Sequence, residues 1–352
     1  MAMQYHNYNS STRFEMVVEI ANIALDEFKT HHLSRNYTGL VQRYYQLVEE
    51  DYGDPRAERF PLMEHPLFTF GLVAIYLSWV LVLGPLFMRD RKPFQLRRTL
   101  VIYNAFQVLL SGYMFYEHLM AGWLNYYNLK CQPVDYSDGP MSKRMLNLCY
   151  IYYLSKLTEF ADTVFFVLRK KSSQITWLHV YHHSVTPLET WVLVKFLAGG
   201  NATFPNLLNN FVHVCMYFYY MMSAMGPEYA KFLWWKKYMT ELQIAQFVLC
   251  IVHTTRALFS SQCQFSKFIS TLLLINASIF FCLFMNFYMQ SYRKTKAQQL
   301  EQQQKQQQHQ EQQLTAATAL ADGNNNNSNE LSKDKQQLQQ EQQLLAHKLK
   351  AL

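Results

Sequence analysis

The 352-residue chain has few of the residues that punctuate compact soluble folds, with 11 Gly and 10 Pro. This scarcity excludes collagen-like and Pro/Gly-rich chains, which contain these residues in much larger shares. Six Cys are too few for a disulfide-dense scaffold. Residues 1–13 are polar and lack the apolar stretch of a cleavable signal peptide, so we expect none there.

Half of the residues are hydrophobic, and they are distributed unevenly along the chain. Residues 67–292 are dominated by apolar runs, whereas residues 297–352 are almost devoid of them. The net charge of +7 comes from short basic clusters between the apolar runs. This pattern encodes membrane topology and not a nucleic-acid-binding surface, so we expect no nucleic-acid partner.

A spanning helix needs about 20 mostly apolar residues. The sequence predicts an all-α polytopic membrane protein with a lumenal segment at 1–66 and a seven-helix domain at 67–296. Residues 297–352 form a Gln/Asn-rich tail that cannot bury enough apolar surface to fold alone. The seven predicted spans are residues 67–88, 100–122, 146–168, 175–195, 204–224, 237–256 and 268–292.

Basic residues follow the odd-numbered spans, and the alternate connections are poorer in Lys and Arg. Because basic loops stay in the cytosol, we predict a lumenal N-terminus and a cytosolic C-terminus. The clusters are Arg89, Arg91, Lys92, Arg97 and Arg98; Arg169, Lys170 and Lys171; Lys231, Lys236 and Lys237; and Arg293, Lys294 and Lys296.

Two cysteines, Cys131 and Cys263, fall in predicted lumenal connections, where disulfides persist. We therefore expect a disulfide between them, and the other four cysteines lie inside spans. The glycosylation sequons at Asn36 and Asn201 also fall on the predicted lumenal side.

The last residues, which include Lys348 and Lys350, match the KxKxx dilysine pattern for retrieval to the endoplasmic reticulum. The pattern stands at the end of a predicted cytosolic tail, where such a signal has to lie. We therefore expect a multi-pass protein of the endoplasmic reticulum membrane.

Ionisable side chains interrupt the third span, where Lys156, Glu159, Asp162 and Thr163 occur within eight residues. Ionisable groups inside spans are expensive and usually mark a functional site. At about 100° per residue, Lys156, Glu159 and Thr163 share one helical face. The alternative is a Lys–Glu pair that only holds helices together.

The fourth span opens with His179, His182 and His183, whose spacing places three imidazoles on one face near the predicted cytosolic end. Three buried imidazoles on one face are hard to satisfy as structural residues. Polar stripes in spans five and six could face them or line helix contacts. These stripes are Asn209, His213, Met216, Tyr217 and Tyr220 in span five, and Thr240, Gln243 and Gln246 in span six.

Four segments in this order, KLTEFADT (156–163), HVYHH (179–183), NNFVHVCMYFYY (209–220) and TELQIAQF (240–247), resemble the signature boxes of the fatty acid elongase family. They match KxxExxDT, HxxHH, NxxxHxxMYxYY and TxxQxxQF without departure. CQPVDYS (131–137) and DPR (54–56) are also similar to that family. The resemblance covers roughly residues 50–295 and implies condensation of a fatty acyl-CoA with malonyl-CoA to a 3-ketoacyl-CoA two carbons longer. It also implies partner reductases and a dehydratase, and no cofactor or metal.

Condensation needs an acyl group held in reactive form, and no cysteine suits that role. Cys215 lies about 200° around its helix from His213, and Cys149 has no neighbouring His to activate it. Because imidazole is a competent acyl acceptor, we predict that His182 carries the acyl group. His179, His183 and His213 would transfer protons or orient groups. A ternary mechanism without a covalent enzyme is the alternative.

The remaining polar residues of the four boxes are predicted to contact substrate, and basic residues at the predicted cytosolic end would bind the phosphates of coenzyme A. The predicted substrate contacts from the boxes are Glu159, Asp162, Thr163, Asn209, Tyr217, Tyr220, Gln243 and Gln246. The predicted phosphate contacts are Lys156, Lys170, Lys171, Lys236 and Lys237.

Two other classes share features with this sequence. A di-iron desaturase or hydroxylase also uses HxxHH, but it takes about eight His ligands. Only four of the twelve His in this chain lie at the site. A seven-helix receptor does not need a Lys–Glu–Asp helix beside a His cluster. A transporter would show paired Gly/Pro-interrupted spans in corresponding halves, which this chain lacks.

Overall fold

The structure is a computed structural model that describes residues 53–294 and scattered helical positions between 300 and 344. Helix is the only regular secondary structure among these described residues, which confirms the all-α prediction. The predictions for Asn36, Lys348 and Lys350, and most of the predicted tail, lie outside them.

Long helices lie over each of the predicted spans. The first is α1 (Pro66–Ser78), continued by the π-helical turn Trp79–Leu83 into α2 (Gly84–Met88). The chain divides after Phe281 into two compact units, and the second contains the end of the last helix and a π-helical turn at Met289–Lys294. The others are α3 (Arg97–His118), α4 (Pro140–Thr158), α5 (Phe160–Leu168), α6 (Trp177–Phe196), α7 (Thr203–Met225), α8 (Lys236–Phe259) and α9 (Lys267–Tyr288).

Three helices of the described chain are long and apolar enough to cross a membrane, namely Pro66–Met88, Lys236–Phe259 and Lys267–Tyr292. The outer surface agrees with a lipid environment, since Ile102 and Leu109 of α3 are 70% and 74% exposed. The helices that carry the first three boxes contain ionisable and amide groups, which lower their apolar character. That all seven cross the membrane stays a prediction.

The interior is a helix bundle in which α3 lies along α7, and α6 packs between α1 and α4. Tyr153, Leu146 and Met114 are essentially inaccessible and form part of its apolar core. Polar side chains are buried beside this core, and α3, α4, α6, α7 and α8 all contribute several of them. The packing therefore brings the helices that carry the boxes into mutual contact.

The predicted third span is not one continuous helix, because the chain breaks at Glu159 between α4 and α5. Just before the break, Ser155 Oγ donates to the Tyr152 carbonyl and Thr158 Oγ1 donates to the Ser155 carbonyl, each at 2.7 Å. Such hydroxyl bonds compete with backbone bonding and bend helices. The two helices together cover the predicted span 146–168, with an interruption at Glu159 that the sequence did not predict.

A second polar assembly, which we call the clasp, joins residues 54–56, 131–142, 195–201 and 263. The Arg56 guanidinium binds both carboxylate oxygens of Asp54, the Ser137 carbonyl and Ser142 Oγ. Burial disfavours the charge of Arg56, but the hydrogen bond and charge of Asp54 raise its pKa above the usual value. The Asp54 amide in turn donates to the Lys195 carbonyl at 2.8 Å, which ties the segment before α1 to the end of α6.

Within the clasp, Cys131 and Cys263 form a disulfide with Cα atoms 5.5 Å apart, as the sequence predicted. The neighbouring Asn201 corrects another prediction. Its side chain is 4% exposed, and its Oδ1 accepts from the Gln132 amide at 2.8 Å. A glycan needs a side chain that projects into solvent, so the folded structure argues against glycosylation at Asn201.

Candidate active site

The charged centre of the site lies at the break between α4 and α5. The Lys156 ammonium donates to Glu159 Oε1 at 2.7 Å and to Asn209 Oδ1 at 2.9 Å. His213 Nδ1 lies 3.2 Å from the same Glu159 oxygen. Lys156, Glu159 and His213 are 1%, 2% and 6% exposed, respectively. One buried carboxylate oxygen therefore joins a lysine and a histidine. The bond from Lys156 fixes the position of this oxygen, and the oxygen in turn orients the His213 ring.

This geometry corrects the predicted role of Lys156 as a phosphate ligand. Its ammonium already contacts Glu159, Asn209 and the ring of Tyr152, whose centroid is 4.7 Å away. A phosphate could reach the ammonium only by displacing partners in a buried site, and a separated buried ion pair is strongly unfavourable. Lys156 is placed to position Glu159, and through it His213.

The first histidine of the cluster is fixed from two directions. Thr176 caps α6, and its Oγ1 accepts from the His179 backbone amide at 3.2 Å. His179 Nε2 lies 2.8 Å from Thr163 Oγ1 of α5, which lies 2.9 Å from the Tyr76 hydroxyl of α1. This chain of hydrogen bonds sets the His179 ring orientation, and it links the first two boxes directly.

The other two histidines of α6 face the charged centre. The ring centroids of His183 and His179 are 4.3 Å apart, and those of His183 and His182 are 5.2 Å apart. His183 is buried, and its Nδ1 has no hydrogen-bond partner in the described part of the chain. The structure thus brings together the four histidines that the sequence singled out.

Two further hydrogen bonds connect α7 to α4 and α5. The Tyr217 hydroxyl donates to Asp162 Oδ2 at 2.7 Å, and the Tyr152 hydroxyl donates to Asn209 Oδ1 at 2.9 Å. The ring of Tyr220 lies 6.4 Å from that of Tyr217. Asp162 and Asn209 therefore face protein partners, which indicates a supporting role beside the direct substrate contact predicted for them.

The amides of α8 border the same region. Gln243 Nε2 lies 3.6 Å from the sulfur of Met216 on α7. Gln246 is buried, and its Oε1 has no hydrogen-bond partner among the described residues. A buried amide oxygen without a partner is unfavourable, so it is available to a donor that enters the site.

One residue near the histidines gave no signal in the sequence. Phe280 of α9 packs against His182 with centroids 5.3 Å apart, and it stacks on Phe247 of α8 at 5.6 Å. An apolar residue in an apolar span carries no pattern that distinguishes a site wall from a lipid-facing position. Only the packing of α9 reveals that this ring borders the His cluster.

The predicted phosphate ligands on the connections are exposed. Lys170 and Lys171 follow α5, and Lys236 begins α8. The Lys170 ammonium donates to the Arg89 carbonyl at 3.2 Å, which brings two of the basic clusters together. No group of three or more His, Cys, Asp or Glu in residues 53–294 is arranged to hold a metal ion.

Comparison with known proteins agrees with the geometry. Residues 61–300 match the model of the GNS1/SUR4 (ELO) family. Very long chain fatty acid elongase 7 of Drosophila melanogaster is 48% identical over 68% of this chain and 73% of its own length. Elongase 7 of Rattus norvegicus is 46% identical over 75% and 93%, and elongase 1 of Homo sapiens is 46% identical over 73% and 92%. The chain therefore belongs to the fatty acid elongase family.

Proposed function

We propose that the protein condenses a long-chain fatty acyl-CoA with malonyl-CoA, giving a 3-ketoacyl-CoA two carbons longer, CO2 and CoA. The relatives are named very long chain fatty acid elongases, which supports elongation as the process. The observation that carries the proposal is the buried chain Lys156–Glu159–His213, together with the three clustered histidines of α6. In this proposal His213 is the base and His182 is the nucleophile, so the reaction needs no cysteine.

In the first half-reaction, a ring nitrogen of His182 attacks the thioester carbonyl carbon. A carbon–nitrogen bond forms, the carbon–sulfur bond breaks, and the departing CoA thiolate takes the proton released by the imidazole. With Nδ1–H of His213 donating to Glu159, His213 Nε2 is left with a lone pair that can carry this proton. The enzyme then holds an acyl-imidazole.

In the second half-reaction, malonyl-CoA loses CO2, and the electrons of the broken carbon–carbon bond form an enolate. The enolate carbon attacks the acyl-imidazole carbonyl, and the carbon–nitrogen bond to His182 breaks. The electron pair of that bond stays on the His182 nitrogen, which takes up the one proton that the overall reaction consumes, delivered from water through His213. The 3-ketoacyl-CoA leaves, and neutral His182 is restored. His179 is held by Thr163, and His183 Nδ1 has no hydrogen-bond partner among the described residues, so both rings would offer donors to the oxygen that becomes negative. A dry, enclosed site would protect the intermediate from water.

The location follows from the sequence and remains part of the proposal. Seven spans would enclose an acyl cavity in the endoplasmic reticulum membrane, with the N-terminus lumenal and residues 297–352 cytosolic. The exposed Lys170, Lys171 and Lys236 would bind the phosphates of coenzyme A at the cytosolic end. The 3-ketoacyl product would pass to membrane reductases and a dehydratase.

The test begins with purified protein and acyl-CoA alone. We expect stoichiometric CoA release and a mass gain of one acyl group on residues 175–195, both abolished by His182→Ala. Release of CoA only after malonyl-CoA is added, with no acylated peptide, would instead support the ternary mechanism.

A second assay addresses the reaction class. Acyl-CoA with labelled malonyl-CoA should give a 3-ketoacyl-CoA that retains two malonyl carbons, with label from the free carboxyl released as CO2. A di-iron desaturase would give an unchanged chain length and require a reductant and oxygen. A receptor or transporter would give no product.

A further inference from the structure

Two polar side chains of α3 contact the end of α4, just before the break at Glu159. Gln107 is 1% exposed, and its Nε2 donates to Thr158 Oγ1 and to the Tyr103 hydroxyl, each at 3.0 Å. The Tyr103 hydroxyl in turn donates to the Thr158 carbonyl at 3.4 Å. The amide nitrogen therefore uses both of its hydrogens, and α3 bonds to both the hydroxyl and the carbonyl of Thr158. We call Gln107 and Tyr103, which lie outside all four boxes, the α3 brace.

The bond from Tyr103 replaces one that the break removes from the helix. In an uninterrupted α-helix, the Asp162 amide would donate to the Thr158 carbonyl four residues earlier. Here it donates to the Glu159 carbonyl at 3.1 Å, with the shorter spacing of a 3₁₀ turn. The Thr158 carbonyl accepts from the Tyr103 hydroxyl instead. A carbonyl without a donor is costly in a spanning helix, so a donor from α3 stabilises the interrupted conformation.

The bond from Gln107 fixes the Thr158 side chain. Thr158 Oγ1 accepts from Gln107 and donates to the Ser155 carbonyl at 2.7 Å. Such bonds from a hydroxyl to the preceding turn bend helices. Because the Gln107 amide nitrogen is a donor, it directs the hydroxyl hydrogen of Thr158 toward the Ser155 carbonyl. The direction in which the chain enters Glu159 therefore depends on a side chain of another helix.

We propose that Gln107 is a positioning residue that holds the break so that Glu159 Oε1 contacts both Lys156 and His213. Glu159 directly follows Thr158, and its Oε1 lies 2.7 Å from Lys156 Nζ and 3.2 Å from His213 Nδ1. A displacement of about 1 Å would lengthen these contacts beyond hydrogen-bond range, and displacements of that size can lower rates about 100-fold. The proposal rests on the proposed condensation, in which His213 carries a proton.

Helix association is the competing role for Gln107, since polar side chains also hold spanning helices together. That role predicts a lower unfolding temperature and an unchanged kcat of the folded protein. Positioning predicts a fall in kcat that depends on the Thr158 hydroxyl. The two roles therefore differ in a quantity that stability does not determine.

The experiment measures kcat and KM of the malonyl-CoA condensation for Gln107→Leu, Thr158→Val and the double variant. We expect each single variant to lower kcat about tenfold, with KM for acyl-CoA within about twofold of wild type. The double variant should lose no more than either single variant, because both substitutions act through the same hydroxyl. Thr158→Ser keeps that hydroxyl and should restore kcat.

Asn104→Leu is the matched control. Asn104 is buried one turn before Gln107 on α3, and its Nδ2 donates to the Leu100 carbonyl of the same helix at 2.6 Å. We expect the control to keep the wild-type kcat. An equal fall in kcat for Asn104→Leu, or losses that multiply in the double variant, would overturn the positioning role.

Hydrogen–deuterium exchange over residues 155–165 gives a measurement that does not depend on activity. Gln107→Leu should speed exchange in this segment, and Asn104→Leu should not. Unchanged exchange in Gln107→Leu would also overturn the proposal. Should Gln107→Leu fail to fold, Thr158→Val compared with Thr158→Ser carries both measurements. Absence of product from the wild-type protein would count against the proposed condensation, while faster exchange in Gln107→Leu would still support the α3 brace.

Discussion

The histidine site and the clasp use buried polar groups in opposite ways. In the clasp, the guanidinium nitrogens of Arg56 bond to carboxylate, carbonyl and hydroxyl oxygens, and Asn201 binds a neighbouring backbone amide. In the histidine site, Glu159 Oε2, His183 Nδ1 and Gln246 Oε1 are buried and have no hydrogen-bond partner in the described chain. Saturated networks stabilise a fold, and unsaturated ones are tolerated where a substrate completes them. The comparison separates the part that holds the bundle together from the part to which we assign the proposed chemistry.

The largest effect is expected at Glu159. Its Oε1 bonds to Lys156 and lies 3.2 Å from His213, whereas its Oε2 has no hydrogen-bond partner in the described chain. Glu159→Ala removes the partner of a buried lysine, so we expect about 3–5 kcal/mol of destabilisation and loss of condensation. Thermal unfolding in detergent and the malonyl-CoA assay measure the two effects.

The double variant Lys156→Met/Glu159→Leu sharpens this test, because no buried charge is left without a partner. We expect it to unfold near the wild-type temperature and still lack activity. Recovery of both stability and activity would show that the ion pair only supports the fold.

Loss of the disulfide should affect stability alone. The bond closes a loop of 132 residues between Cys131 and Cys263, so replacing both with Ser should destabilise the protein by about 2–4 kcal/mol. At low temperature, kcat should stay within about twofold of wild type, since no site residue moves. Cys282→Ser, at an exposed thiol, is the control. A large loss of kcat in the folded double variant would contradict the separation of the two regions.

Arg56→Lys should act in the same direction and more weakly. An ammonium cannot reproduce the planar set of bonds to Asp54, Ser137 and Ser142, so we expect about 2 kcal/mol of destabilisation with unchanged KM. Arg59→Lys tests the same exchange at an exposed arginine that bonds to Asn147, and its unfolding temperature should barely change.

The smallest change in stability is expected at Thr163, on the reactive side of the comparison. Thr163→Val keeps the side-chain shape and removes the hydroxyl between His179 and Tyr76. We expect about 1 kcal/mol of destabilisation but about a tenfold fall in kcat, because the His179 ring loses its orienting bond. Thr163→Ser should restore kcat, and equal rates for the Val and Ser variants would refute the orienting role.

The sequence predicted the helices, the shared face of the histidines and the disulfide pair, because each follows from local spacing or from loop composition. It did not predict the break at Glu159, which depends on hydroxyl bonds from Ser155 and Thr158 to backbone carbonyls. Nor did it predict burial of Lys156 and Asn201, because the partners that enclose them come from distant segments.

Phe280 and Glu189 illustrate two limits of pattern analysis. Phe280 resembles its lipid-facing neighbours in sequence, and only its contact with His182 gives it a role. Glu189 is conspicuous by its charge within an apolar span, but the charge alone does not show which helix its side chain contacts. In both cases the residue type does not show what the side chain contacts, and only tertiary packing reveals the contact between Phe280 and His182.

Pro187 lies inside α6, between the histidine turn and Glu189. A proline has no amide hydrogen, so the His183 carbonyl one turn earlier receives no bond from it, and the helix is weakened at that joint. The helix is therefore divided at Pro187 into a first part that carries the three histidines and a second part, residues 188–196, that carries none of them. The direction of residues 188–196 can therefore adjust at this joint while the hydrogen bonds that hold His179, from Thr176 and Thr163, stay in place.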